Sequence, residues 1–375
     1  MPVKKVTTII IILLFPLIGN LAVPSYAQED VQETELLKEE TLEARVVEIL
    51  EEKEIKPAFT EEKQLYQKLE LLITKGSLKD KEIVVESGNL PMANQQKYKV
   101  GDQLVVSYSR DFEDNDAFFI TDYIRRGSLF WLFAIFVVLV AVVAKWRGLT
   151  SLLGMGISFF IIFSFILPKI SAGSDPILIA IIGSLFIVPV TFYFSHGLNK
   201  KTTVAIAGTI VALVITGILA GIFVEAARLT GFASEEAGFL QVAKQGTVNI
   251  KGLLLAGIII GVLGVLDDVT VSQSAIVLKL KEANSQLKPR ELYNKAMDVG
   301  RDHISSMVNT LILVYTGAAL PLLLLFINNP HPFTEIINYE IIADEIVRTL
   351  VGSIGLILAV PITTLFAALT VGKKR

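Results

Sequence analysis

Residues 252–278 read GLLLAGIIIGVLGVLDDVTVSQSAIVL. Twenty-seven residues with two charges match a helix crossing a bilayer core of about 30 Å at 1.5 Å per residue. The exception is Asp267-Asp268. A carboxylate at membrane depth costs on the order of 3 kcal/mol on insertion scales, and such residues usually face protein or water and serve a function. Gly257, Gly261, Gly264, Asp268, Ser272 and Ala275 recur at intervals of three and four, forming one stripe of small and polar residues. Such a stripe lets a neighbouring helix come close. It predicts Asp268 inside a helix bundle beside a packing seam, with Gly257, Gly261 and Gly264 as packing positions. Asp267 is turned about 100° away, on the side of Thr270 and Ser274.

Six further stretches have this apolar character: Ser128–Ala144, Gly148–Leu167, Pro176–Phe194, Thr202–Val224, Ser305–Ile327 and Ile346–Val371. The sequence therefore predicts a seven-helix transmembrane domain over residues 127–375. One set of connecting segments carries Lys145, Arg147, Lys200, Lys201, Lys279, Lys281 and the terminal Lys373, Lys374 and Arg375. The other carries Lys169, Arg228, Lys244, Lys251 and Arg348. The richer set belongs to the cytoplasmic side, which leaves the N-terminal domain outside and the C-terminus inside. Ser234–Lys244 reads as a short interfacial helix. Pro289–Met297 reads as an amphipathic helix lying along the inner surface.

Composition agrees. The 375 residues are 52% hydrophobic and 19% charged, with a mean hydropathy of +0.59. Residues 28–126 hold 14 of the 34 Lys and Arg and 23 of the 37 Asp and Glu, a local net of −9 against +6 for the rest. The chain has no cysteine, which excludes disulfides, thiolate metal sites and Cys nucleophiles. No metal, haem, flavin or nucleotide-binding signature occurs, so no cofactor is expected. The acidic part has no basic groove, and nucleic acid is not an expected partner.

Lys4 and Lys5, an apolar run from Val6 to Val23 and the small-x-small Ser25-Tyr26-Ala27 read as a signal peptide over residues 1–27. An uncleaved signal anchor is the alternative. Residues 28–40 read as an acidic linker. Residues 41–126 read as an extracytoplasmic β-rich domain with strands in Thr41–Leu50, Tyr66–Thr74, Lys81–Glu86, Gln103–Ser109 and Ala117–Tyr123. Five short strands between turn residues suggest an OB-like barrel.

The sixth span adds a second polar set. His303, Ser306 and Thr310 share a face, with Asn309 on its flank. With Asp267, Asp268, Thr270 and Ser272 they form a candidate ion or proton path. A purely structural Asp pair, hydrogen-bonding helices together, is the plainer reading. An intramembrane aspartyl protease needs two carboxylates facing one water. Adjacent residues on one helix diverge too far for that, so no enzymatic activity is expected.

GVLGVLDDVTVSQSAIVLKLKEAN at 261–284 and RELYNKAMDVGRDHISSMVNTLILVYTGAALPLLL at 290–324 closely resemble the YibE/F family of bacterial membrane proteins. The order of signal, exported β domain and membrane region matches as well. The resemblance implies a multi-pass protein of the bacterial plasma membrane and brings no established activity. A more distant similarity is to SecD, SecF and the resistance-nodulation-division transporters. Those have intramembrane acidic residues near Thr and Ser, and a second helix rich in Thr and Asn. Only one half of such a transporter is present here, which implies a homodimer or a second related membrane subunit. No basic relay residue matches theirs.

Two functions follow as expectations. One is a permease, or a proton- or cation-coupled transport machine, with the Asp pair as ion site and an unidentified small molecule or protein as partner outside. The alternative is a non-transporting scaffold or assembly partner whose exported β domain binds another protein.

Overall fold

A computed structural model describes residues 39–57, 63–90, 96–110, 115–327 and 331–372. The leader over 1–27, and the linker up to residue 38, lie outside these residues. The chain divides into two compact units, Met1–Leu132 and Phe133–Arg375.

The first unit is a five-stranded antiparallel sheet: β1 (Glu40–Ile55), β2 (Gln64–Lys75), β3 (Glu82–Ser87), β4 (Gln103–Arg110) and β5 (Asp116–Tyr123), in the order β3-β2-β1-β4-β5. Alternate side chains of each strand point inward, as the period of two requires. Leu42, Ala44 and Val46 of β1, Leu69, Leu71 and Ile73 of β2, and Leu104 and Val106 of β4 are buried. Register shifts after Glu43, Val46 and Ile49 bend β1, letting it pair with β4 at its start and β2 along the rest. The expected barrel is not closed. Cα atoms of β3 and β5 come within 8 Å, yet no ladder joins these two edges among the described residues. The interior amide of Gln67 bonds across the fold, donating to the Tyr98 carbonyl at 3.1 Å and accepting from the Tyr98 N–H at 2.8 Å. Arg126, just past the sheet, grips Glu43 of β1 with two nitrogens at 2.7 and 2.5 Å.

The second unit is helical. Five helices among the described residues are long and apolar enough to cross a membrane, with a sixth if one bent pair counts as a single span. The first covers Arg126–Ser171, made of α1 (Arg126–Ile161), a π turn (Ile162–Ile166) and α2 (Leu167–Ser171). Its 46 residues have a contour of about 69 Å at 1.5 Å each, over twice a bilayer core. Its helical geometry breaks at Lys145 (φ 54°, ψ −139°), between the two stretches read from sequence as separate spans. The others are α3 (Pro176–His196), α4 (Lys200–Ala226), α6 (Ile250–Ala283) and α10 (Glu340–Gly372). The short helix expected over Ser234–Lys244 is present as α5 (Glu235–Ala243), with Phe239 and Val242 exposed.

Side-chain oxygens start these helices. Asp175, Asn199, Ser234 and Asn249 accept the backbone N–H groups of Leu178, Thr202, Ala237 and Gly252. Two expected boundaries change. The amphipathic helix at Pro289 and the span from Ser305 are one continuous helix, α7 (Pro289–Ala318), because nothing between them removes a backbone donor or strains the helix. The break falls at Ala319, where α8 (Leu320–Ile327) turns away by 71°. Pro321 has no N–H for the carbonyl of Gly317, which accepts from Ala319 instead. The last span starts at Glu340 rather than Ile346. A short turn, α9 (Phe333–Ile336), precedes it.

Close helix approach uses small residues, at a different place from the expected stripe. α4 meets α10 through Ala205, Ala212, Ala220, Ala359 and Ala367, all fully buried. A β-carbon on Gly208 would strike Thr363, and one on Gly355 would strike Thr216. On α6, by contrast, Gly257 and Gly264 have no atom within 4 Å of where a β-carbon would stand, and Gly261 meets only the Tyr315 hydroxyl, at 3.2 Å.

Gly208→Val and Gly355→Val are therefore expected to destabilise the bundle by about 1–3 kcal/mol each through overpacking. Gly264→Ala leaves thermal unfolding of the purified protein nearly unchanged; equal losses at all three positions would contradict this packing. In the β unit, the Arg126 guanidinium holds the Glu43 carboxyl below its ordinary value of 4.5. A depressed carboxyl stabilises the fold above its unfolded value and loses that contribution as pH falls. Arg126→Gln should thus raise the pH at which β1 loses hydrogen-exchange protection on acidification.

Candidate functional site

The candidate site is built on α6. Its 34 residues extend about 51 Å, and it packs against α3, α4, α7 and α10. Leu254, Leu255, Ile258, Ile259, Val262, Leu266 and Val269 form its buried face. Asp267 lies at the edge of that face, and its side chain is 30% exposed. Its Oδ1 is buried, has no hydrogen-bond partner among the described residues, and stands 3.7 Å from Nε2 of His196. That separation is too long for a hydrogen bond but short enough for an ion pair when the imidazole is protonated. His196 is the last residue of α3, ahead of Gly197. Asp267 is therefore level with the end of α3.

Asp268 points elsewhere. With Gly257, Gly261, Gly264 and Ser272 it forms an exposed line along α6; Gly257 opens on a cleft shared with α8 and α10, and Tyr315 meets Gly261. The stripe read from the sequence exists as a face, but Asp268 is not enclosed by this chain. The two carboxylates thus point about 100° apart on one helix, Asp267 towards His196 and Asp268 outward.

Thr270 is buried and takes part in a hydroxyl chain. It bonds Thr209 of α4 at 2.8 Å and the Leu266 carbonyl at 2.9 Å. Ser274 donates to the Lys201 carbonyl at 2.9 Å. These contacts fix α4 against α6 next to the carboxylates.

Two anchors register α7 against α6: Tyr315 at Gly261, and Gln273, whose amide donates to the Ala296 carbonyl at 2.9 Å. The part of α6 between them holds Asp267, Asp268, Thr270 and Ser272. The part of α7 between them holds His303, Ser306, Asn309 and Thr310. Ser306, Asn309 and Thr310 are exposed, and His303 is half-buried. No hydrogen bond or ion pair joins the two sets among the described residues. They share a level without touching.

Sequence reasoning passed over His196, Thr209 and Gln273. The first two lie on helices remote in sequence, and only the tertiary packing of α3 and α4 on α6 brings them in. Gln273 is fully buried, and its position in the polar run after Asp268 was a usable signal. No group of three or more metal-ligating side chains occurs among the described residues.

A family model described as YibE/F-like protein matches residues 132–373. No curated protein and no solved structure matches the chain. The likeness to SecD and SecF is not shown by these comparisons.

Proposed function

The chain belongs to the YibE/F-like family, and from that premise we propose a multi-pass permease, or transport machine, driven by protons or another monovalent cation. It resides in the bacterial plasma membrane with the β unit outside. The observation that carries the reading is the unbonded Asp267 Oδ1 held 3.7 Å from His196. A carboxyl and an imidazole at that spacing can exchange a proton after a small side-chain movement.

In this reading the chain crosses the membrane seven times. The five long helices count with the bent α7–α8 pair, and Lys145 divides the first into two. Asp267 and His196 form the pair that passes the ion, and Asp268 is a second ion-binding carboxylate on the outward line. Thr270 and Thr209 hold α6 in place while the pair changes charge. His303, Ser306, Asn309 and Thr310 line the path. The exposed line of Gly257, Gly261, Gly264, Asp268 and Ser272 supports a homodimer, or a related subunit, that completes the path on that side. An intramembrane carboxylate facing lipid is costly, and one facing a second subunit or water is not. A change of charge at Asp267 then alters the balance between two packings of α3 on α6.

The test needs no substrate. Membrane-reconstituted protein is treated with a hydrophobic carbodiimide, which attacks protonated carboxyls in apolar surroundings, and modified residues are mapped by mass spectrometry across pH. Labelling at Asp267 or Asp268 near neutral pH is expected. Asp267→Asn and Asp268→Asn should abolish function in cells while leaving the protein folded. If neither residue is labelled while other intramembrane carboxyls react, and both Asn variants are active, the scaffold reading takes its place.

A further inference from the structure

A cleft of about 470 Å³ opens between α6, the α7–α8 bend and the start of α10. Its size falls in the usual range for small-molecule sites. Leu253 and Gly257 of α6 line one wall and Leu322 of α8 another, so most of the lining is apolar. Polar groups converge from α10: Asp344, Glu345 and Arg348. None of them belongs to the Asp267 group.

The charge arrangement is specific. Arg348 Nη2 lies 3.1 Å from Asp344 Oδ2, and its Nε lies 3.7 Å from Glu345 Oε1. One guanidinium thus stands between two carboxylates, leaving one negative charge over. Glu340, a turn earlier, is already engaged by the Thr230 and Gly231 backbone and the Thr230 hydroxyl. Asp344 is only 7% exposed, and its Oδ1 is buried without a hydrogen-bond partner among the described residues. An ionised oxygen in that position calls for an N–H donor.

We infer that this cleft binds a small organic monocation, an ammonium or guanidinium on an apolar body, with Asp344 Oδ1 accepting its N–H and the α6 and α8 side chains packing on its hydrocarbon. The chemistry excludes the neighbouring classes. An anion would meet the surplus negative charge: the Arg348 Nε makes no hydrogen bond among the described residues, but it stands 3.7 Å from Glu345 Oε1, within ion-pair range, and Nη2 is bonded to Asp344. A hard divalent cation needs six or more oxygens, and the cleft offers few beside a fixed guanidinium. The inference does not depend on the Asp267–His196 pair, and its test reads binding rather than transport.

The test uses the full-length protein in lipid nanodiscs, titrated calorimetrically with cyclohexylamine, cyclohexanol and cyclohexanecarboxylate, which share a body and differ in charge. Saturable binding of the amine alone is expected. Asp344→Asn should weaken it about tenfold or more, the loss that follows from removing one partner of a buried charge pair. That variant also frees Arg348 and can disturb folding, so Gly257→Leu serves as a second. No atom lies within 4 Å of a β-carbon at Gly257, so the new side chain fills the cleft and leaves the α10 charges intact. It should abolish binding without lowering thermal stability. Equal binding of alcohol or carboxylate, no binding of the amine, or amine binding that survives Gly257→Leu would each overturn the inference.

Discussion

The packing of α10 against α4 depends on the absence of a β-carbon at Gly208 and Gly355, since Thr363 and Thr216 occupy that space. In a membrane, helices gain little from burying apolar surface against one another, because lipid is equally apolar; van der Waals fit has to supply the association. With α4 and α10 drawn together, α6 lies against both and presents its most buried face to them. α7 then closes on α6 and α10 at Gly300, where a β-carbon would come within 2.8 Å of Val360 and 3.0 Å of Gln273. Everything said about the carboxylates presupposes this interlock, because it fixes which side of α6 is covered.

That covering gives Asp267 and Asp268 different surroundings despite their adjacency. Neighbouring residues on a helix point about 100° apart. With one side of α6 packed and the other open, that angle separates an enclosed carboxyl from an exposed one. The pair is therefore not a shared two-carboxylate site but a junction between the interior of this chain and whatever lies along its bare line. The buried hydroxyls of Thr270 and Thr209 keep the helix from rotating and exchanging the two positions.

Much of this was legible in the sequence. The strands stand out because apolar residues alternate with polar ones, and the long helices because apolar stretches outlast any soluble core helix. The continuation of β1 to Ile55 was hidden. Residues 51–55 read EEKEI, a polar segment held by its ladder to β2 and by partners remote in sequence, such as Gln67 and Lys97 on Glu52. The continuity of α7 was hidden for a related reason. Arg301-Asp302-His303 marks a change in solvent preference, which says nothing about backbone geometry, and the first true breaker is Pro321. Asp344 and Arg348 at i and i+4 were visible as a helical ion pair, but a window beginning at Ile346 left Asp344 outside the span and so separated the pair. The proximity of His196 to Asp267 is a different kind of fact. It belongs to the choice of neighbours among helices, which local pattern does not encode.

The π turn at Ile162–Ile166 shows how such choices are kept. Residues five apart fall on the same side of a π turn, whereas on an α-helix they would diverge by about 140°. Ile161 and Ile166 are both 1% exposed, and Gly183 of α3 makes room for the Ile166 side chain. The widened turn acts as a phase adjuster that takes up one residue and returns the helix to its seat. Chain length at this point therefore carries information independent of residue identity. A lineage that dropped Ser164 would keep every hydrophobic side chain and still present the wrong ones to α3.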